Sequence, residues 1–145
     1  MGMSDQENMK LMKTLDDAWN SQDWDTFSKR HADDVTVRWP GQPPTKGIAA
    51  HRKEGEYFFN AFPDNCVSNN PYKILFGRDD WTCSIAEFTG THKGLMEGLD
   101  GNMIPATNKT FKVDFCTVAH WKDGRIVEEN LFYDLVGMMR QLGLM

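Results

Sequence analysis

Three side chains in the second half of the sequence have the type and setting to move protons. Glu129 lies on an otherwise apolar face of the strand-like run from Arg125 to Tyr133, where desolvation would raise its pKa and suit it to general-base work. His92 sits in Gly90-Thr91-His92-Lys93-Gly94, and a neutral imidazole there can donate to a ligand carbonyl. Glu87 shares a strand face with Cys83 and Ile85. Each also has a plainer reading: Glu129 as an exposed strand-end carboxylate, His92 as a hydrogen-bond partner of the following loop, Glu87 as a surface residue. Asp134, just ahead of a short terminal helix, fits an N-cap. Trp39, Tyr57, Phe58, Phe62, Phe115 and Tyr133 can stack a planar ligand or fill a core. His31 and His51, both read on helices, have no second ligand at metal spacing, so no metal site is expected.

These residues need elements to hold them. Ser4-Asp5-Gln6-Glu7 is a capping box, and Leu11, Met12, Leu15, Ala18 and Trp19 follow at helical spacing, predicting a helix over about Asp5 to Trp19. A second, short helix carries Trp24 and Phe27 and ends near His31. Asp34 to Trp39 alternates as a strand, and Pro40-Gly41 with Pro43-Pro44 stops it. A third helix over Gly47 to Phe62 places Ile48, His51 or Arg52, Gly55, Phe58, Phe59 and Phe62 on one stripe, halted by Pro63. Beyond Cys66 the period changes to two, with strands at Pro71 to Phe76, Trp81 to His92, Phe111 to Trp121 and Arg125 to Tyr133. Gly94 to Asn108 is a long loop of the sort that forms lids, and Met138 to Gly143 a short last helix. Helices first and a meander afterwards predict one α+β domain over 1–145, with helices on one face of a curved antiparallel sheet.

Composition narrows the partners. At 145 residues the chain can bury a core without staples, and its three cysteines have neither disulfide nor zinc spacing, which suits a reducing, cytoplasmic compartment. The N-terminus lacks a leader pattern, a myristoylation motif fails at Gln6, and no apolar run reaches the roughly 20 residues a membrane span needs. A net charge of −5 with interspersed signs argues against nucleic acid. The five Trp and nine Phe can fill a core or line a pocket for a flat apolar ligand, and composition alone does not choose between the two.

Four pieces, in order, carry a resemblance: Ala61-Phe62-Pro63-Asp64, Phe88-Thr89-Gly90-Thr91-His92-Lys93-Gly94, Asp123-Gly124-Arg125-Ile126-Val127-Glu128, and Asp134 followed by Arg140-Gln141-Leu142-Gly143. Nearly the whole chain resembles the SnoaL-like polyketide and ester cyclases of the nuclear transport factor two-like superfamily. The resemblance implies a cone-shaped cystatin-like barrel, a homodimer paired through the outer sheet face, and a cavity in which a cofactor-free enzyme closes a ring by intramolecular aldol chemistry. In that family an Asp on the last strand and a His on the strand before it move the proton; matched across the Asp-Gly turn, these positions are Leu131 and Thr117. Either catalysis is displaced to Glu129 or Glu87 with His92, or the domain is a non-catalytic binder that kept the pocket; a hydrolase or isomerase on the same scaffold is a third reading. Convergence of the two positions favours a three-residue Lys122-Asp123-Gly124 turn, with Trp121 facing Arg125 and the odd residues from Val113 to Tyr133 sharing the cavity face. Thr117, Leu131, Glu129 and Tyr133 then look inward.

Overall fold

Ser4 opens the first helix by closing the capping box: its hydroxyl accepts from the Glu7 N–H and donates to the Glu7 carboxylate. The computed structural model describes residues 4–98 and 100–145. In chain order the elements are α1 (Asp5–Ser21), α2 (Trp24–Lys29), β1 (His31–Arg38), β2 (Thr45–Lys46), α3 (Ile48–Ala61), β3 (Cys66–Ser68), β4 (Ile74–Arg78), β5 (Trp81–Thr91), β6 (Met96–Glu97), β7 (Met103–Ile104), β8 (Thr110–Lys122), β9 (Arg125–Phe132) and α4 (Leu135–Gln141). Met12, Leu15, Ala18 and Trp19 form the buried stripe of α1. Asp23 caps α2 through the Thr26 N–H, and Asp134 caps α4 through the Gly137 N–H.

The main sheet runs β2-β1-β9-β8-β5-β3, with β4 also on β5, and β6 and β7 form a separate small hairpin. All the pairings are antiparallel except β1 on β9. That parallel pair corrects the reading of His31 as the end of a helix. The Ile126 N–H donates to the Arg30 carbonyl, His31 stands opposite Ile126, and strand pairing begins where helical spacing had faded. The long loop after β5 likewise holds the β6–β7 hairpin, apart from Leu99, which lies outside the described residues.

The last hairpin turns on two residues, not three. Lys122 faces Arg125, and Asp123 (φ 52°) and Gly124 (φ 78°) both adopt the left-handed conformation of a tight primed turn. On its own this register would send Thr117 and Leu131 to opposite faces. A bulge between His120 and Trp121 restores it: Trp121 pairs with Ile126 but His120 with Glu128, so Thr117 again meets Leu131. Consequently Ile126, rather than Val127, is the inward residue at the turn end.

The helices cover the inner face of the sheet. Trp19, Phe27, Phe59 and Phe62 from the helices pack with Phe88, Phe111, Phe115, Val35 and Val37 from the strands, each large buried side chain contributing about 1.5–3 kcal/mol of transfer free energy. Trp19 and Trp121 satisfy their indole N–H groups on Asn65 and Thr82. The C-terminal end of α3 is clamped by Gly94, where an added Cβ would lie 2.1 Å from the Asn60 carbonyl oxygen.

Candidate active site

Between helices and sheet the fold leaves two neighbouring spaces. An open cleft of about 440 Å³ is lined by Trp39, Tyr57, Phe58, Phe62 and Tyr133, with Glu54, Lys53 and the β6 residues Met96 and Glu97 at its rim. Behind it lies a buried chamber of about 40 Å³, walled by Phe115, Thr117, Leu131, Phe88 and Trp19, with Asp16, His51 and Glu129 as its ionisable groups. Trp39 lines both spaces. Its indole N–H donates to Glu54 Oε1 at 3.0 Å, which pins the ring as a partition. Trp39→Ala should merge the two spaces, and an apolar fluorescent dye should then bind several-fold tighter in titration, at a stability cost of ~1–3 kcal/mol for lost packing.

The residues singled out from sequence separate clearly. Glu129, 4 % exposed, is on the chamber wall. His92 is buried at the end of β5, where its Nδ1 accepts from the Thr107 N–H and its backbone bonds both Lys109 and Asn108. It ties down the loop and lines neither space. Burial lowers its pKa and keeps it neutral. Glu87 lies on the outer sheet face, opposite Asp114 and 3.4 Å from Lys112, with the whole sheet between it and the chamber. Parity explains this: Thr82, Ser84, Ala86 and Phe88 take the inner face of β5, leaving odd residues outside.

Glu129 does not stand alone. His31 Nε2 donates to its Oε2 at 3.0 Å and His51 Nε2 to its Oε1 at 3.2 Å. His31 Nδ1 donates to the Phe27 carbonyl at 2.7 Å, and His51 Nδ1 to Glu54 Oε1 at 3.1 Å. Glu54 also accepts from Thr45, so a row of alternating imidazoles and carboxylates runs from the core to the cleft. Burial would pull the His51 ring down, but hydrogen bonds to Glu129 and Glu54, and their charges, lift it from 6.5 to about 9. Burial likewise works to raise Glu129, yet the His31 charge and both imidazole hydrogen bonds hold it well below the usual carboxylate range. The ligand donor atoms of His31, His51 and Glu129 all lie within 4.8 Å of one another. The absence of a second ligand, inferred from chain spacing, is therefore corrected by the fold.

Asp16 has the opposite character. Burial, the largest cause, lifts its carboxyl from 3.8 to about 7, reinforced by the charges of Glu129 and Asp17 and opposed by the Tyr72 hydrogen bond and Lys13. Tyr72 donates to Asp16 Oδ2 at 2.6 Å, and burial with the Asp16 charge pushes the phenol above its ordinary range. Burial also pushes Tyr133 up to about 12. Sequence reading missed Asp16, His31 and His51, although signals existed. Asp16 falls four residues after Met12 on the buried stripe, His51 precedes Gly55 by one turn, and His31 is in phase with Val35 and Val37.

The chain matches the family model described as SnoaL-like polyketide cyclase over residues 9–142. No curated protein sequence matches. Among solved structures, the proposed SnoaL-like polyketide cyclase of Jannaschia sp. CCS1 is 20% identical over 95% of this chain and 92% of its own, with a TM-score of 0.84. TsrD of Streptomyces laurentii is 21% identical over 99% of both chains, with a TM-score of 0.82. IdmH of Streptomyces antibioticus, described as a proposed polyketide cyclase, is 25% identical over 94% of this chain and 98% of its own, at 0.78. With the match spanning all but the two ends, and the fold shared from α1 to α4, the chain belongs to the SnoaL-like polyketide cyclase family.

Proposed function

We propose that the protein is a cyclase- or isomerase-type enzyme that moves a proton at the carbon beside a carbonyl of a carbonyl-rich or aromatic small molecule. The observation that carries this reading is the pair of carboxyl groups lining one chamber whose surroundings push their acidities apart, Asp16 towards neutrality and Glu129 towards firm ionisation. Asp16, with Oδ1 left free of hydrogen bonds among the described residues, is the proton carrier. The cationic His51 ring, with its two N–H groups held by Glu129 and Glu54, supplies the positive charge facing whatever charge develops on the substrate oxygen. The aromatic cleft holds the body of the ligand, with Tyr133 and Phe115 stacked 5.5 Å apart and Trp39 and Phe58 stacked 6.3 Å apart. The reacting end enters when Trp39 swings aside. Of the family's usual pair, Leu131 and Thr117 serve as apolar and polar wall.

Deuterium uptake at the acidic carbon of cyclic 1,3-diketones, followed by NMR, tests the reading: wild-type protein should accelerate exchange over buffer, and Asp16→Asn should not. A binding or accessory domain is the second reading, favoured by the small chamber and the closed Trp39 partition; saturable binding without exchange would select it.

Pairing of two copies belongs to the same proposal. Ile74, Phe76, Trp81 and Phe132 are exposed on the outer sheet face, opposite Ile85, Cys83, His120 and Cys116. Sedimentation should return twice the 16.6 kDa chain mass, and Phe132→Glu should return the single mass.

A further inference from the structure

We propose that His31, His51 and Glu129 bind a first-row divalent metal ion. The inference goes beyond the proton-transfer reading and stands on donor geometry alone. A metal-ligating histidine presents one ring nitrogen to the ion while the other, as N–H, is held by a carbonyl or carboxylate that fixes the tautomer and orients the ring. Both histidines are already held this way. The Phe27 carbonyl accepts from His31 Nδ1, and the Glu54 carboxylate accepts from His51 Nδ1, so each Nε2 is aimed inward. Glu54 is itself fixed by Trp39 and Thr45, a third layer of support.

The spacing fits as well. Ligands at 2.0–2.2 Å from one ion stand about 2.8–3.6 Å apart at octahedral or tetrahedral angles. Each Nε2 stands at such a distance from a different oxygen of Glu129, 3.0 Å from Oε2 for His31 and 3.2 Å from Oε1 for His51, and one donor atom from each of the three residues lies within 4.8 Å of the others. Drawing the two rings together about the carboxylate closes the set. An ion of charge +2 replaces the two ring hydrogens that now face Glu129, so the buried cluster keeps its net charge and pays no added desolvation for an unmatched charge. Two imidazoles and a carboxylate suit zinc, iron, cobalt or manganese and disfavour magnesium and calcium, which take oxygen. Because His51 and Glu129 line the chamber, the remaining coordination positions point to where a substrate oxygen or water would sit. Metal ligation would turn that wall into a Lewis acid opposite Asp16.

The test uses the full-length chain, stripped with a chelator and then dialysed free of it. Titration with Co(II) should give visible ligand-field bands saturating at one equivalent, and Zn(II) should compete for the same site in calorimetry with micromolar or tighter affinity. His51→Gln and Glu129→Gln should each weaken binding about 100-fold. Should either variant fail to fold, the wild-type cobalt spectrum decides, since nitrogen and oxygen ligation by a buried site has a structured band that surface binding lacks. Absence of cobalt bands and of zinc heat in the wild type overturns the proposal, as does unchanged affinity in the folded variants. Diketone exchange that persists in chelator leaves the proton-transfer reading intact whatever the spectrum shows. Exchange lost in both conditions overturns that reading without touching the metal site.

Discussion

Replacing Glu129 with leucine should lower the melting temperature of the metal-free protein by roughly 10 °C. The carboxylate is 4 % exposed and receives hydrogen bonds from two buried imidazoles. Removing it leaves both Nε2 atoms facing a side chain that accepts nothing. Breaking a buried charged pair from one side costs about 3–5 kcal/mol, and each kcal/mol moves the midpoint by ~2–4 °C in a domain of this size. The loss comes from the orphaned partners more than from the missing attraction. A triple variant, His31→Leu, His51→Leu, Glu129→Leu, should therefore recover part of the stability lost by the single one, because it removes donors and acceptor together. Thermal unfolding followed by circular dichroism at one pH compares all three proteins. A single variant that melts with the wild type would show that the row of imidazoles and carboxylates contributes nothing to holding α3 against β1 and β9.

Asp16→Asn should reduce diketone exchange by about 10²–10⁴-fold, the usual worth of a positioned general base. Its wild-type pH profile should rise with pH and level off above about 7, where the carboxyl ionises. Stability should run the other way. A carboxyl raised from 3.8 to about 7 binds its proton more tightly in the folded state, so its contribution is complete below about pH 4 and is lost as pH climbs through 7. Partial solvent access screens the full linkage value, leaving about 2 kcal/mol. Asp16→Asn should flatten that slope and be the more stable protein at pH 8. The groups facing Asp16 are Tyr72, Glu129, Asp17 and Lys13, and Tyr72→Phe, which deletes a bond favouring the ionised form, should move the exchange profile to higher pH. A rate profile unaffected by either substitution would remove Asp16 from the chemistry.

Most of the scaffold was legible because it is written in local pattern. The Ser4 to Glu7 box, the α1 stripe, the aromatic stripe of α3 and the period-two runs from Trp81 onward all depend on neighbours a few positions away. The α+β layering and the helices on one sheet face followed from them. What was illegible depends on distant partners. Nothing near His31 announces that β9 will pair with it, and helical spacing persists locally up to Phe27, so the strand was begun three residues late. The turn at Asp123-Gly124 was misread for a related reason. Its two residues are an ordinary tight-turn pair, but a bulge one pair further along resets the register, and bulges leave little trace in composition. Thr117 and Leu131 reached the inner face by that compensating pair of features. Glu129 could be named from the apolar face it shares with Val127, Leu131 and Tyr133 in the alternating pattern. The histidines that hold it could not, since one looked like a helix end and the other like one member of a busy helix face.

His31 and Glu129 meet across 98 positions of chain, through a strand near the start that lies beside the last strand made. During synthesis on the ribosome, the opening helices and first strand emerge with no neighbour to complete them. The nascent chain must wait with its apolar stripe and two imidazoles uncovered until β9 has been made. Assembly of the chamber thus waits for β8 and β9, and any product that stops short of that hairpin has no chamber at all.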